Sequence, residues 1–301
     1  MSASGRVSGR GGSGLFHSAV RAATIATRTA LSEPRRRVPS LRRPAVGIGG
    51  GTRIVADLGT PWGLALYRYG LRDCLSGLLR DVLRPGDAFV DGGAHVGLYT
   101  FLAAALVGPS GRVVAFEPAL ETMAMLRENH ALNGFSWVTI HEVALADVQG
   151  RVPFWTLPRA SGFSSLARPE VAGSRHVEVE ITTLDDAVAD LPRLKLVKLD
   201  LEGAECRAVR GAASLLEQTR PDFVIEVEPR HLARQGGSVA ELQGLFADAH
   251  FVAFALDREE GRTILRRLGR EWAALRPGEP NVVLRPLERC DESSEAGRRR
   301  E

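Results

Sequence analysis

Hydrophobic residues in this chain form short apolar runs that alternate with helical stripes. The clearest case begins with the run 88–90, which precedes a glycine-rich turn at 91–97. Five apolar residues follow the turn at the i, i+3, i+4, i+7, i+8 spacing of one helix face: Leu98, Phe101, Leu102, Ala105 and Leu106. The pattern therefore predicts a strand, a tight turn and a helix in that order.

The same alternation continues along the chain. Further strands are predicted at 112–117, 137–143, 194–200, 222–228, 251–256 and 281–285, and helices at 74–83, 119–133, 184–191, 203–218 and 239–249. Repeated strand–helix alternation predicts an α/β fold with a parallel sheet wrapped by helices.

Four segments depart from this rhythm. Residues 52–69 predict a small hairpin made of the runs 53–56 and 64–69. Residues 150–182 predict two further strands, 151–156 and 176–182, around a flexible loop at 162–165. Residues 257–280 are predicted to be a polar, arginine-rich insertion, and residues 289–301 a charged tail.

The first 45 residues are rich in Ser, Gly, Arg and Ala, which predicts a mostly disordered tail. Residues 17–31 have the pattern of an amphipathic helix bearing arginines, typical of a transit peptide or an interfacial helix. A tail without function is the favoured interpretation. We expect residues 46–86 to form the hairpin and a lead-in helix, and 87–288 the main domain.

Charge is unevenly distributed along the 301 residues. The net charge is +3, and residues 1–50 contain nine arginines and one glutamate, which is +8. Residues 51–301 therefore carry +3 − 8 = −5. An acidic main domain argues against a nucleic-acid groove.

Cysteine and hydropathy patterns argue against several further classes of protein. Cys74, Cys206 and Cys290 are far apart and odd in number, which argues against a disulfide framework. No histidine or cysteine spacing predicts a metal site, and His231 is among the histidines given no role. No apolar run reaches the ~18 residues of a transmembrane segment. The cysteine pattern is most simply that of a reducing compartment, so we expect a cytoplasmic protein.

The glycine turn has the pattern D-x-G-x-x-x-G, formed by Asp91, Gly93 and Gly97. The dinucleotide fingerprint G-x-G-x-x-G is missing, because Ala94 and His95 occupy the positions of its second glycine. An acid, Glu117, closes the next predicted strand, where it can accept hydrogen bonds from both hydroxyls of a ribose. We expect the turn to hold S-adenosylmethionine, with Asp91 facing its positive methionine end.

Several motifs together resemble the FkbM family of S-adenosylmethionine-dependent methyltransferases. The resemblance covers roughly residues 71–256. Its motifs are LRPGD at 83–87, the turn at 90–100, FEP at 116–118, TLDD at 183–186, KLDLEGAE at 198–205, RP at 220–221 and IE at 225–226. Two positions depart from the family pattern: His95, where members often have Asn, and Gly92, where a larger apolar residue is common.

The resemblance implies a Rossmann-like sheet of seven strands, mostly parallel with the last strand antiparallel. It also implies the cofactor S-adenosyl-L-methionine. The predicted cofactor-binding residues are Asp91, Gly92, Gly93, His95, Gly97, Glu117 and Pro118, with Ala144 and Leu145 near the adenine.

Asp200 and Glu202 are the predicted catalytic residues. Asp200 closes a strand that faces the same crevice, and Glu202 follows at the start of a helix. The alternative for Glu202, and the favoured interpretation for Glu205, is that these acids only stabilise the helix N-terminus. His95 is as suited to hydrogen bonding within the turn as to acting as a base.

Lys198 lies in an apolar strand and must be paired if buried, with Glu226 or Glu228 as the expected partner.

The family implies O-methylation of a hydroxyl on a sugar, glycan or secondary metabolite. One alternative is an NAD(P)-dependent oxidoreductase. Another is a noncatalytic nucleoside-binding module tethered by its basic tail to a partner or membrane. The sequence does not identify the acceptor or the oligomeric state.

Overall fold

The computed structural model describes residues 12–156, 166, 175–259, 262–269, 272 and 281–290. The chain divides into two compact units. One consists of Met1–Gly47 with Val55–Arg72, and the other of Ile48–Ile54 with Asp73–Glu301. Among the residues described, none of the helices has the length and apolar character of a membrane span.

The smaller unit contains two α-helices, α1 (Gly12–Arg37) and α2 (Pro61–Tyr69). Helix α1 differs from the mostly disordered tail predicted for residues 1–45. The strand predicted at 64–69 is wrong, because Thr60 and Pro61 start a helix there. Thr60 Oγ1 accepts a hydrogen bond from the backbone N–H of Gly63 at 3.1 Å, and proline suits the first helical position.

A two-stranded sheet, β1 (Ala45–Gly49) with β2 (Thr52–Val55), lies where the division between the units crosses the chain. The predicted hairpin therefore exists, but its partner strands are 45–49 and 52–55. Gly50 and Gly51, both at positive φ, make the turn between them.

The larger unit is built around an eight-stranded sheet. Its strands are β3 (Ala88–Gly92), β4 (Arg112–Phe116), β5 (Val138–His141), β9 (Leu194–Leu199), β10 (Asp222–Glu226), β11 (Phe251–Glu259), β12 (Arg262–Arg267) and β13 (Asn281–Pro286). A separate sheet is formed by β6 (Ala144–Leu145), β7 (Gly150–Thr156) and β8 (Arg175–Thr182).

The spatial order of the large sheet is β12-β11-β13-β10-β9-β3-β4-β5. Strands β5, β4, β3, β9 and β10 are mutually parallel, and β13 runs antiparallel to both β10 and β11. The predicted α/β fold, mostly parallel with an antiparallel last strand, is confirmed. The predicted number of strands is one too low, because β12 lies within the segment expected to be a polar insertion. Its apolar Ile264 and Leu265 are flanked by arginines, which hid the strand.

Helices connect the strands of the large unit. They are α3 (Cys74–Val82), α4 (Leu98–Val107), α5 (Leu120–Asn133), α6 (Leu184–Val188), α7 (Glu205–Arg210), α8 (Pro229–Arg234) and α9 (Val239–Asp248). The helix predicted at 203–218 is interrupted: α7 ends at Arg210, and a π-helical turn follows at Leu215–Thr219. The interruption includes Gly211, where a Cβ would lie 2.2 Å from the carbonyl oxygen of Ala146, so close packing requires glycine there.

The small sheet confirms the two strands predicted between 150 and 182. Strands β7 and β8 pair antiparallel from Gly150 opposite Ile181 onward. The predicted loop at 162–165 lies outside the described residues.

Strand β3 occupies the switch point of the large sheet. From β3 the chain builds β4 and β5 on one side, and later β9 and β10 on the other. In open α/β sheets the crevice at the carboxyl ends of the strands at such a point is where ligands bind. Asp91 and Gly92 end β3, Glu117 follows β4 and Asp200 follows β9, so these predicted site residues lie at this point.

Candidate functional site

The glycine turn leaves β3 through backbone conformations that suit glycine. Gly93 has φ +72° and Gly97 has φ +88°. A Cβ on Gly93 would lie 1.9 Å from the carbonyl oxygen of Asp200, and one on Gly97 would lie 2.3 Å from Cε2 of Phe101. The space beside these glycines is therefore filled by the protein itself, and close packing against neighbouring elements requires both of them.

Asp91 is fully buried and forms an ion pair with a lysine on the neighbouring strand. Its Oδ1 lies 3.0 Å from Lys198 Nζ, and its Oδ2 accepts a hydrogen bond from Thr100 Oγ1 at 2.6 Å. We call these three residues the lysine centre. The contacts of both Asp91 oxygens are made within the protein, so its expected orientation toward the methionine end of the cofactor has no counterpart here.

Lys198 also donates hydrogen bonds to the carbonyl oxygens of Gly92 and Gly93, each at 3.1 Å. The expected pairing with Glu226 or Glu228 is wrong, because β3 and β9 are adjacent and Asp91 is the register partner of Lys198. Burial alone would lower the pKa of Lys198, but Asp91 and Asp200 outweigh it and raise that pKa. The charged lysine thus fixes the base of the glycine turn.

Glu117 lies directly after β4 and is 7 % exposed. Its Oε2 accepts the backbone N–H of His95 and its Oε1 that of Ala119, both at 2.9 Å. Burial raises the pKa of Glu117 to about 7, in opposition to these two hydrogen bonds. Each carboxylate oxygen has a second lone pair, so both can still accept a hydrogen bond from a ligand.

His95 takes a positive φ of 52° within the turn. Burial lowers the pKa of His95 to about 4, so its imidazole is neutral near pH 7. The backbone N–H of His95 bonds Glu117, and a neutral ring suits both roles expected of this residue, hydrogen bonding within the turn and acting as a base. Pro118, the next residue after Glu117, is half-buried.

Ala144 and Leu145 form the short strand β6, and both are buried. Leu145 packs beneath the turn, because a Cβ on Gly92 would lie 3.0 Å from Leu145 Cδ1. The structure therefore brings β6 against the glycine turn. A place for these two residues beside an adenine stays a prediction.

A second group of side chains gathers where β9 and β10 end. We call Asp200, Glu202, Glu226 and His231 the acidic cluster. Glu202 adopts φ +54°, and its Oε2 lies 3.0 Å from Nδ1 of His231. One potential ligand atom from each of Glu202, Glu226 and His231 lies within 4.8 Å of the other two.

Sequence reasoning missed His231 and Glu226 as site residues. His231 lies on α8, a six-residue helix that the apolar pattern did not predict. The signal was Glu228 followed by Pro229, since the Glu228 side chain accepts a hydrogen bond from the N–H of Arg230 and caps the helix. Only the adjacency of β9 and β10 brings His231 and Glu226 to Glu202.

Burial and mutual repulsion raise the pKa values of the two glutamates in the cluster. Burial, followed by the charges of Asp200 and Glu205, raises the pKa of Glu202 to about 8. Burial, with Asp200 and Glu202, raises the pKa of Glu226 to about 9, and a hydrogen bond to Asp200 contributes. Burial also lowers the pKa of His231. At neutral pH the cluster therefore holds protons on its glutamates and a neutral imidazole.

Glu205 has a different position from the other acids. It is buried at the first turn of α7, and its Oε1 accepts hydrogen bonds from Leu201 N at 2.7 Å and Gly203 N at 3.3 Å. Burial raises its pKa to about 7. These contacts fit the expected stabilising role at the helix N-terminus, and they shape the turn that carries Asp200 and Glu202.

Comparison with known proteins gives one family match and two related sequences. Residues 91–259, more than half of the chain, match the Methyltransferase FkbM domain. Methyltransferase 1 of Beauveria bassiana is 28 % identical over 148 residues, which is 42 % of this chain and 59 % of that protein. Methyltransferase sdnD of Sordaria araneosa is 27 % identical over 193 residues, or 53 % of this chain and 74 % of that protein.

Among solved structures, a methyltransferase FkbM from Methylobacillus flagellatus aligns with a TM-score of 0.40 and 16 % sequence identity. The alignment covers 74 % of this chain and 54 % of that one. The present chain thus matches little more than half the length of this protein and of the Beauveria bassiana relative.

Proposed function

Because this chain belongs to the FkbM methyltransferase family, we propose that it transfers the methyl group of S-adenosylmethionine to a hydroxyl of a small molecule or a glycan. One structural observation supports the proposal in addition to the family match. The switch point of the sheet places the glycine turn, Glu117 and Asp200 at the ends of three adjacent strands, β3, β4 and β9.

Glu117 is the proposed ribose-binding residue. A ribose diol presents two O–H donors, and a carboxylate held by backbone N–H groups presents two oxygens with free lone pairs. Donors on the ribose favour the ionised carboxylate, so binding would lower a pKa that burial has raised. In this proposal Glu117 carries the specificity for a nucleoside.

The glycine turn is the proposed seat of the methionine end of the cofactor. Gly92, Gly93, His95 and Gly97 shape that turn, and Asp91 acts on it indirectly as a positioning residue. Asp91 holds Lys198, and Lys198 holds the carbonyl oxygens of Gly92 and Gly93. Asp200 is more exposed than Asp91, at 39 % of its side chain, and provides the anion that faces a sulfonium.

Methyl transfer from a sulfonium is an in-line displacement in which placement supplies most of the catalysis. The acceptor oxygen forms a bond to the methyl carbon while the carbon–sulfur bond breaks, and S-adenosylhomocysteine leaves with that electron pair. The acceptor hydroxyl also loses a proton, which a carboxylate within reach can take. Asp200 is the proposed acceptor of that proton, and Glu202 can accept it only in its ionised form, which its raised pKa of about 8 confines to higher pH.

Calorimetric titration of the whole chain with S-adenosylhomocysteine, and separately with NAD, tests the cofactor. We expect a saturable heat with the first ligand and none with the second. A heat with NAD alone would favour the oxidoreductase alternative, and no heat with S-adenosylhomocysteine would refute the methyltransferase proposal.

Transfer of a labelled methyl group to a panel of sugars and hydroxylated secondary metabolites tests the acceptor class. With a positive acceptor in hand, Asp200→Asn should lower turnover and leave the affinity for S-adenosylhomocysteine unchanged. Normal turnover in this variant would remove Asp200 from the mechanism. Cofactor binding without transfer to any hydroxyl, together with transfer to an amine, would refute O-methylation.

A further inference from the structure

We propose that Glu202, Glu226 and His231 form a binding site for one divalent cation. The three side chains come from three consecutive elements of the fold: the turn after β9, the end of β10, and α8. Each contributes one potential ligand atom, and the three atoms lie within 4.8 Å of one another. The cation-binding claim stands on this geometry and does not depend on the proposed function.

The distances suit a single ion. Carboxylate oxygens and imidazole nitrogens bind divalent metals at about 2.0–2.2 Å, so two ligand atoms on one ion lie about 3–4 Å apart. Glu202 Oε2 and His231 Nδ1 are already 3.0 Å apart. A small rotation of the side chains would bring all three atoms to coordination distance.

Two atoms of the site lack a hydrogen bond. Within the described part of the chain, neither Glu202 Oε2 nor His231 Nδ1 has a hydrogen-bond partner, and both atoms are inaccessible to solvent. A buried polar atom left in this way costs free energy. A cation between the two atoms would satisfy both.

The backbone supports the same interpretation. Glu202 adopts φ +54°, and residues other than glycine, asparagine and aspartate rarely take this conformation. Next to it, a Cβ on Gly203 would lie 2.1 Å from the carbonyl oxygen of His231. The turn after β9 is thus pressed against α8, and this close approach aims Glu202 at His231.

The ligand types indicate a transition-metal ion. Two carboxylates and one imidazole suit Mn²⁺, Fe²⁺ or Zn²⁺, and three protein ligands leave coordination positions open for other molecules. Asp200 adjoins the site through its hydrogen bond with Glu226. We choose Mn²⁺ as the probe because its free ion gives a direct spectroscopic signal.

The role of the ion rests on the proposed function. An open coordination position can take the acceptor hydroxyl oxygen, and a bound cation lowers the pKa of such a group. The hydroxyl proton would pass to Asp200 or to solvent, and the resulting alkoxide would attack the methyl carbon as the carbon–sulfur bond breaks. The reaction involves no oxidation or reduction.

Titration of the whole chain with Mn²⁺, followed by electron paramagnetic resonance of the free ion, tests the site without any cofactor. We expect one Mn²⁺ per chain, and affinities at least about tenfold weaker in Glu202→Gln, Glu226→Gln and His231→Asn. His176→Asn is the matched control, because His176 lies on β8 with its ring tilted against that of Trp155, outside the acidic cluster. The affinity of this variant should equal that of the wild type. If the wild type did not bind Mn²⁺, or if the wild type and all the variants bound it with equal affinity, the proposal would be overturned.

Thermal unfolding separates lost ligands from lost folding. In EDTA the three variants should melt within a few degrees of the wild type, and Mn²⁺ should raise only the melting temperatures of the wild type and His176→Asn. If Mn²⁺ also raised the melting temperatures of all three ligand variants, the proposed site would be wrong. Mn²⁺ binding without S-adenosylhomocysteine binding would refute only the proposed function, and the reverse result would refute only this inference.

Discussion

Lys198 of the lysine centre lies on β9, and Asp200 of the acidic cluster follows two residues later, yet the buried charges of the two groups are arranged in opposite ways. Lys198 meets the carboxylate of Asp91, and both side chains are at most 3 % exposed. In the acidic cluster the carboxyl groups of Asp200, Glu202 and Glu226 face one another, and the pKa values of both glutamates are raised. Opposite charges therefore pair in the lysine centre, whereas in the acidic cluster carboxyl groups crowd together and the raised pKa values keep the glutamates protonated.

This difference separates acids that stabilise the fold from acids that are available to a ligand. The Asp91 oxygens face Lys198 and Thr100 within the protein, so this ion pair has little left to offer a ligand. The acidic cluster has raised pKa values at Glu202 and Glu226, which is typical of functional sites. Asp200 connects the two regions, since its Oδ2 lies 3.7 Å from Lys198 Nζ.

The largest effect is expected from removing the lysine of the centre. Lys198→Met leaves Asp91 buried without its partner and should lower the free energy of unfolding by about 3–5 kcal/mol. Urea denaturation measures this change. Lys195→Met, on the same strand but partly exposed, should change it by about 0.5 kcal/mol or less. Equal effects of the two variants would mean that the Asp91–Lys198 pair does not hold the fold.

A smaller effect is expected where the turn touches β9. Gly93→Ala places a Cβ against the Asp200 carbonyl oxygen and should destabilise the protein by about 3 kcal/mol. Gly134→Ala is the matched control, because Gly134 has φ +66° and no atom of the described residues within 4 Å of such a Cβ. It should cost about 1 kcal/mol, from backbone strain alone. Similar losses in both variants would contradict the close approach of the turn to β9.

The third effect is a pH dependence of stability at the turn next to the acidic cluster. The pKa of Glu205 is raised from 4.5 to about 7, so the stability it contributes is complete below pH 4.5 and is lost as the pH rises through 7. Glu205→Gln removes this titration and keeps an acceptor oxygen for Leu201 and Gly203. Relative to the wild type, the variant should gain about 2 kcal/mol between pH 5 and pH 8.

Urea denaturation across that pH range measures the Glu205 effect. Glu121→Gln, at an exposed position in the first turn of α5, is the control and should follow the wild-type profile. If the stability of Glu205→Gln also ran parallel to that of the wild type from pH 5 to pH 8, Glu205 would not be ionising in a buried setting.

Much of the fold could be predicted from the sequence because each strand and helix of the main sheet has its own apolar period. The short pattern around Asp91, Gly93 and Gly97 located the turn, and Glu117 followed at the end of the next strand. Prediction failed where local patterns conflict: arginines concealed β12, and the Thr60–Pro61 helix start was overlooked within an apolar run.

Side-chain pairing was harder to predict than the elements. The partner of Lys198 depends on which strands are neighbours, and both β3 and β10 flank β9. The expected partners were Glu226, at the end of β10, and Glu228, just after it, whereas the partner in the structure is Asp91 on β3. Glu228 and Pro229 indicate where α8 begins. No spacing in the sequence shows, however, that α8 packs so that His231 lies beside Glu202 and Glu226.

The central claim is that Glu117, on the glycine-turn side of the crevice, binds the ribose of the cofactor, and that Glu226 of the acidic cluster does not contact the cofactor. Calorimetric titration with S-adenosylhomocysteine of the wild type, Glu117→Gln and Glu226→Gln tests this division directly. We predict an affinity at least about tenfold weaker in Glu117→Gln, since an amide cannot accept both ribose hydrogen bonds. Glu226→Gln should bind within about twofold of the wild type. Equal weakening in the two variants, or none in Glu117→Gln, would contradict the account.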